Sequence, residues 1–189
     1  MSMKNEIAKL RMEHGNFRKL LDLLEAQLYL FHKGEQPDYS LMTDILHYMT
    51  HYPDGFHHPT EDVIFSYLLE RDPGAAPSVE ELARQHHVIA ESGARLHENL
   101  QSVIAGTMMP RKMVEAPGLQ YVTYYRTHMD TEESDLFLLA ERLLRDDDWK
   151  KINDKVLSES DPMFGASIEE RYCAVYNHIA QANDGGRAS

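Results

Sequence analysis

The chain has 189 residues, 42% of them hydrophobic, with 19 Lys and Arg against 31 Asp and Glu, a formal net charge of −12. That length suits one sizeable core, and the acidic excess argues against nucleic acid or an anionic membrane surface as partner, leaving ions, small molecules and proteins. The single cysteine, Cys173, excludes an intrachain disulfide framework or a thiolate cluster, and nothing resembles a signal peptide or a membrane span of about 18 apolar residues, so the expectation is a soluble cytoplasmic protein.

From Lys4 to Lys33, Ile7, Leu10, Phe17, Leu21, Leu24, Leu28 and Phe31 recur at helical spacing and mark one buried stripe. His14 stands where that stripe should carry another aliphatic residue. Gly34-Glu35-Gln36-Pro37 ends this helix. A second helical pattern runs through Leu41, Ile45, Tyr48 and Tyr52, is interrupted at Pro53-Asp54-Gly55, and restarts at Pro59 to run to about Arg71. After the connection Asp72 to Pro77, Ser78-Val79-Glu80-Glu81 has capping-box spacing and opens a third helix. Its stripe is Val79, Leu82, His86, Ile89, Gly93, Leu96, Leu100 and Val103, with His87 pointing away. Gly106 to Gly118, containing Pro110 and Pro117, reads as the longest loop. The fourth helix is expected from Leu119 to Arg145, closed by the solvated acidic run Asp146-Asp147-Asp148. Shorter helices are expected over Trp149–Ser160 and Ile168–Ala180, with a disordered tail from Asn183. The predicted architecture is all-α: an up-down-up-down four-helix bundle over residues 1–145, then a C-terminal helical extension and tail over 146–189.

The densest run of metal-ligand types is Phe56-His57-His58-Pro59-Thr60-Glu61-Asp62. Further candidates are His14, His86 and the pair His128 and Glu132. In an antiparallel bundle, residues equally far from a connecting loop share a height. His14 lies 20 residues before Gly34, and His57 to Glu61 lie 24 to 28 residues past Lys33, roughly 30–40 Å of helix on either side. Glu61 stands 11 residues before Asp72, and His86 stands 8 after Ser78. His128 to Glu132 fall within two or three turns of the same layer. Four helices therefore bring inward histidines to one level, two of them with a glutamate four residues later. So many ionisable groups in an apolar core are costly without a cation. Two carboxylates and four or five imidazoles exceed the needs of one tetrahedral zinc. They suit a pair of six-coordinate first-row ions, with iron the first choice and manganese and zinc as alternatives.

His14, the segment Tyr52 to Phe65, Gln85-His86 and the segment His128 to Phe137 resemble the hemerythrin-like, HHE cation-binding family over about residues 4 to 145. The resemblance implies a four-helix bundle holding two Fe ions with an oxo or hydroxo bridge. By that resemblance His14, His57, His86 and His128 are terminal ligands, and Glu61 and Glu132 bridge. Oxygen-carrying members have a second histidine four residues after the one on the third helix, where this chain has Ala90. Either His58 supplies the fifth imidazole or one iron keeps an extra open position. Glu132 or Glu133 also replaces the family's aspartate, and both departures count against simple reversible oxygen carriage.

The first functional reading is a module that binds or senses dioxygen, nitric oxide or iron. The alternative is a di-iron enzyme acting on peroxide or nitric oxide, or repairing iron-sulfur centres. A third is a homodimer through an exposed C-terminal helix, with a stabilising metal. A ferritin-like oxidase predicts Glu-x-x-His pairs, and the chain has none. His32, His47, His51, His87, His97 and His178 read as surface residues. Tyr48, Tyr121 and Tyr125 read as core residues within reach of the centre.

Overall fold

The computed structural model describes residues 5–156 and 159–185. Among the described residues eight α-helices follow in order: α1 Asn5–Lys33, α2 Tyr39–Met49, α3 His58–Arg71, α4 Ala76–Ile104, α5 Lys112–Ser134, α6 Leu136–Leu143, α7 Asp146–Asn153 and α8 Cys173–Gly185. There is no strand among the described residues. The second rod of the bundle is α2 joined to α3, the fourth is α5 joined to α6, and the four rods pack antiparallel. No helix among the described residues is long and apolar enough to cross a membrane.

Local chemistry sets the boundaries. Gly34, at φ +77°, ends α1 in a conformation that a side chain disfavours. The Asp38 carboxylate then accepts from Leu41 N at 3.0 Å and caps α2. The break at Pro53-Asp54-Gly55 is one π-helical turn, Pro53–His57, in which His58 N bonds back to Pro53 O. The extra residue changes the helical phase, so both His57 and His58 face inward although they are adjacent.

Several boundaries differ from expectation. The third rod starts at Ala76, with Pro77 in its first turn, so Ser78 is not its cap. The loop expected over Gly106–Gly118 is shorter, because α5 begins at Lys112 and absorbs Pro117. Proline cannot supply an N–H to the carbonyl four residues back, Met113 O; the Asn99 amide of α4 donates to that oxygen at 3.2 Å. Gly118 lets α5 close on Leu28 of α1, since a Cβ there would lie 2.6 Å from Leu28 Cδ2. The fourth rod is broken at Asp135 (φ −124°, ψ −79°), just beyond Glu132. The acidic run opens α7 instead of ending a helix, and Asp148 is buried: it accepts two hydrogen bonds from Arg71 and one from Arg145 N. The helix expected to reach Ser160 ends at Asn153, with residues 157–158 outside the described residues. α8 continues to Gly185, past the expected start of the tail; residues 186–189, Lys4 and the side chain of Phe31 likewise lie outside the described residues.

The apolar interior comes in two parts. One is built from Phe17, Leu21, Leu24, Leu28, Tyr48, Leu96 and Tyr125, with Val175 and Ile179 of α8. The other is built from Ile7, Leu10, Ile64, Phe65, Leu68, Phe137 and Ala140, with Trp149 and Ile152 of α7. A polar layer separates them.

Candidate metal centre

That layer contains His14 from α1, His57 from the π turn, His58 and Glu61 from α3, His86 from α4, and His128 and Glu132 from α5. All seven side chains are buried; the most accessible, His86, is 9% exposed. Their donor atoms form two groups: His14, His57 and Glu61 in one, and His58, Glu61, His86 and His128 in the other. Glu61 is common to both. Its Oε1 lies 3.1 Å from His57 Nε2 and 3.6 Å from His14 Nε2, while its Oε2 lies 3.4 Å from His86 Nε2. Glu132 spans the same pair of groups, with Oε2 3.4 Å from His14 Nε2 and Oε1 3.4 and 3.3 Å from the Nε2 atoms of His86 and His128. The His14 and His57 Nε2 atoms are 3.0 Å apart. Donors 2.0–2.1 Å from one first-row ion and at right angles to each other are about 3 Å apart, so these separations match the edges of a coordination polyhedron.

The outer ring nitrogens explain why Nε2 faces the centre. His57 Nδ1 donates to Glu13 Oε2 at 2.7 Å, His14 Nδ1 to Glu133 Oε1 at 2.8 Å, and His128 Nδ1 to Gln85 Oε1 at 3.0 Å. His58 Nδ1 lies 3.1 Å from Asp54 Oδ1, and His86 Nδ1 lies 3.7 Å from Asp62 Oδ1. A proton held on Nδ1 fixes the tautomer and leaves the Nε2 lone pair for an ion. Both oxygens of Glu61, Oε2 of Glu132 and Nε2 of His128 are buried without a hydrogen-bond partner. Such orphaned acceptors are costly, and a bound cation satisfies all of them at once.

A family model for the hemerythrin HHE cation-binding domain matches residues 5–140. The chain belongs to the hemerythrin HHE cation-binding family. Comparison with curated proteins and with solved structures gives no match. The segments that carry the resemblance in the sequence are those that supply the seven side chains of this HHE domain.

The electrostatics of the HHE centre without a cation show what it demands. Burial opposes a charge on His57, yet the attraction of the adjacent Glu61 carboxylate and the hydrogen bond to Glu13 raise it to about 10. Burial likewise opposes a charge on His86, but the hydrogen bond to Glu132 and the nearby Glu61 carboxylate raise it to about 9. Burial and the neighbouring Glu61 charge push Glu132 up to about 8. Glu61 is held well below the usual carboxylate range because His57 and its other imidazole neighbours outweigh burial. Burial suppresses the charged forms of His58 and His128, the latter to about 2. The metal-free centre thus gathers protons in place of cations.

Sequence reading gave no role to Glu13, Tyr52 or Asp54. Tyr52 Oη donates to Glu13 Oε1 at 2.9 Å, so a buried line runs from Tyr52 through Glu13 to His57. Glu13 was detectable as a carboxylate between Leu10 and Phe17 on the apolar stripe of α1. Of the doubtful pair on the fourth rod, Glu132 faces the centre, whereas Glu133 binds His14 and Arg18. Tyr125 Oη reaches within 3.5 Å of His58 Nε2, while Tyr48 donates instead to Asp161. His32, His51, His87 and His178 are exposed; His47 and His97 are only partly so, contrary to the surface reading.

Proposed function

We propose that this HHE domain holds two iron ions and serves to bind or sense a small ligand such as dioxygen or nitric oxide. The observation that carries the reading is the sharing of Glu61 between two imidazole groups, with Glu132 across the same gap. His14 and His57 would hold one ion, His58, His86 and His128 the other, and the two glutamates would bridge them. The donor set is nitrogen and oxygen throughout, which favours iron over ions that select thiolates. When bound, an iron pair supplies reversible redox change and open positions for a diatomic ligand.

The chain's own residues would do the rest. Glu13, Glu133 and Gln85 hold three rings in one tautomer and orientation. Phe17 and Phe137 cover the centre: the Phe17 ring lies 4.9 Å from His57, and Phe137 stacks on His14 at 5.5 Å. The groove of about 380 Å³ between α4 and α5 is lined by Tyr121 but by none of the seven side chains. Such enclosure supports a ligand small enough to penetrate a packed bundle.

Metal analysis combined with anaerobic reduction and re-exposure to air tests this. The expected result is about two irons per chain and near-ultraviolet absorption that bleaches on reduction, with a stable new visible band on exposure to dioxygen or nitric oxide. Sustained turnover of added peroxide without such a band would replace this reading with an enzyme. One zinc, or no metal, would overturn the di-iron assignment.

A further inference from the structure

Arg18 stands one helical turn after His14 on α1, and Glu133 stands one turn after Asp130 on α5. Across the contact between the two helices these four side chains are joined. Glu133 Oε1 accepts from His14 Nδ1 at 2.8 Å and from Arg18 Nη1 at 2.8 Å, while Arg18 Nη2 donates to Asp130 Oδ1 at 2.7 Å. One oxygen thus serves both a ring of the buried centre and a guanidinium whose side chain is 32% exposed. The arrangement at His57 is different. Its Nδ1 donates to Glu13 Oε2, whereas Tyr52 Oη and Lys9 Nζ approach the other oxygen, Oε1, at 2.9 and 3.8 Å.

We propose that Arg18 is a positioning residue that acts on His14 through the oxygen they share and limits how firmly the centre holds a cation. A carboxylate that accepts from the outer nitrogen makes an imidazole a more basic ligand. A guanidinium on the same oxygen offsets the carboxylate's charge, so His14 meets a weaker acceptor. The planar fork also fixes Glu133, because its second nitrogen is held by Asp130. Solvent screens the guanidinium's direct attraction or repulsion at longer range, which leaves this contact as its main route to the centre.

The sign of the effect separates this role from a purely structural one. If Arg18 only braced α1 against α5, its loss would weaken cation binding. Because it weakens His14 as a ligand, its loss should strengthen binding, and should favour ferric over ferrous iron where iron is bound. The change in affinity requires only that the layer hold a cation; the shift between iron states rests also on the di-iron reading.

Chelator competition with Zn²⁺ and with Fe²⁺, followed by redox titration of iron-loaded protein, tests the role. Arg18→Gln is expected to bind either cation several-fold more tightly than the parent chain and to lower the midpoint potential. Glu133→Gln puts a neutral amide in place of the carboxylate, and is expected to weaken binding by about 10–100-fold and to raise the potential. Arg18→Lys keeps the charge and stays close to the parent. Arg126→Gln breaks the pairs with Asp22 and Glu25 across the same two helices, and moves neither quantity. In the Glu133→Gln background Arg18→Gln should add little, as residues acting as a unit do. Weaker or unchanged binding in Arg18→Gln, shifts of the same sign in the two single variants, or fully additive effects in the double variant overturn the proposal. A chain that holds zinc and no iron refutes the di-iron reading, and the Zn²⁺ competition then still decides the role of Arg18. A chain that takes up neither cation overturns both.

Discussion

Glu13 touches no donor atom of the candidate centre, yet it accepts from both His57 Nδ1 and Tyr52 Oη. Burial works against its ionised form, but the hydrogen bond and charge of His57 hold its carboxyl below the usual range. Glu13→Gln should therefore leave the fold intact while weakening cation affinity by about 10–100-fold in a chelator competition; unchanged affinity would mean that His57 needs no orienting partner. Glu61→Ala removes the shared carboxylate and should abolish uptake of both proposed ions, where His87→Ala should abolish neither. The same residues set a pH dependence. In metal-free protein His57 and His86 titrate near 10 and 9, above the ordinary histidine value of 6.5, and Glu132 near 8, above its ordinary 4.5. The folded state then binds more protons than the unfolded chain, so stability is greatest at the low end of this window and falls as pH rises from 6.5 towards 10. A cation replaces those protons, and metal-loaded protein should lack the decline. Thermal unfolding of both forms at either end of the window measures this, and parallel slopes would rule it out.

At the scale of the elements, the four rods were readable because the apolar residues of α1 and α4 keep helical spacing over 29 residues each. The inward histidines were readable because they interrupt those stripes. The start of α5 was not. Pro117 counts as a breaker along the chain, and only the approach of Asn99 from α4 supplies a donor to the carbonyl that it frees. Nor was the burial of Asp148 readable, because Arg71 lies 77 residues away and no local pattern links them. Gly118 shows the same dependence on a distant neighbour. In an isolated helix, Gly→Ala would stabilise by about 1 kcal/mol, but here the added Cβ meets Leu28 of α1 at 2.6 Å. Overpacking of this kind costs about 1–3 kcal/mol, so Gly118→Ala should lower the denaturant midpoint. Trimming the neighbour in Gly118→Ala/Leu28→Val should recover part of the loss. A stabilised single variant would show that Leu28 moves aside freely.

For the whole molecule, the expected measure of the centre is its coupling to folding. A ligand that binds only the native state stabilises it by mass action, about 2.7 kcal/mol at 100 times its dissociation constant. Chelation should lower the melting temperature, and resupplied iron should restore it in proportion to the logarithm of its free concentration. A melting temperature indifferent to chelator would place the cation outside the folding equilibrium. The C-terminal segment bears on how that loss would spread. Trp149 and Ile152 of α7 sit in the apolar cluster on one side of the polar layer, and Val175 and Ile179 of α8 sit in the cluster on the other. α7 and α8 are thus fastened on opposite sides of the polar layer, like the two ends of a strap, and neither supplies any of its seven side chains. When the layer holds no cation, this strap is the part of the chain outside the four rods that still joins the two ends. Cutting it between α7 and α8 would leave them joined through the rods alone, and the nicked protein should come apart in two steps once the metal is gone.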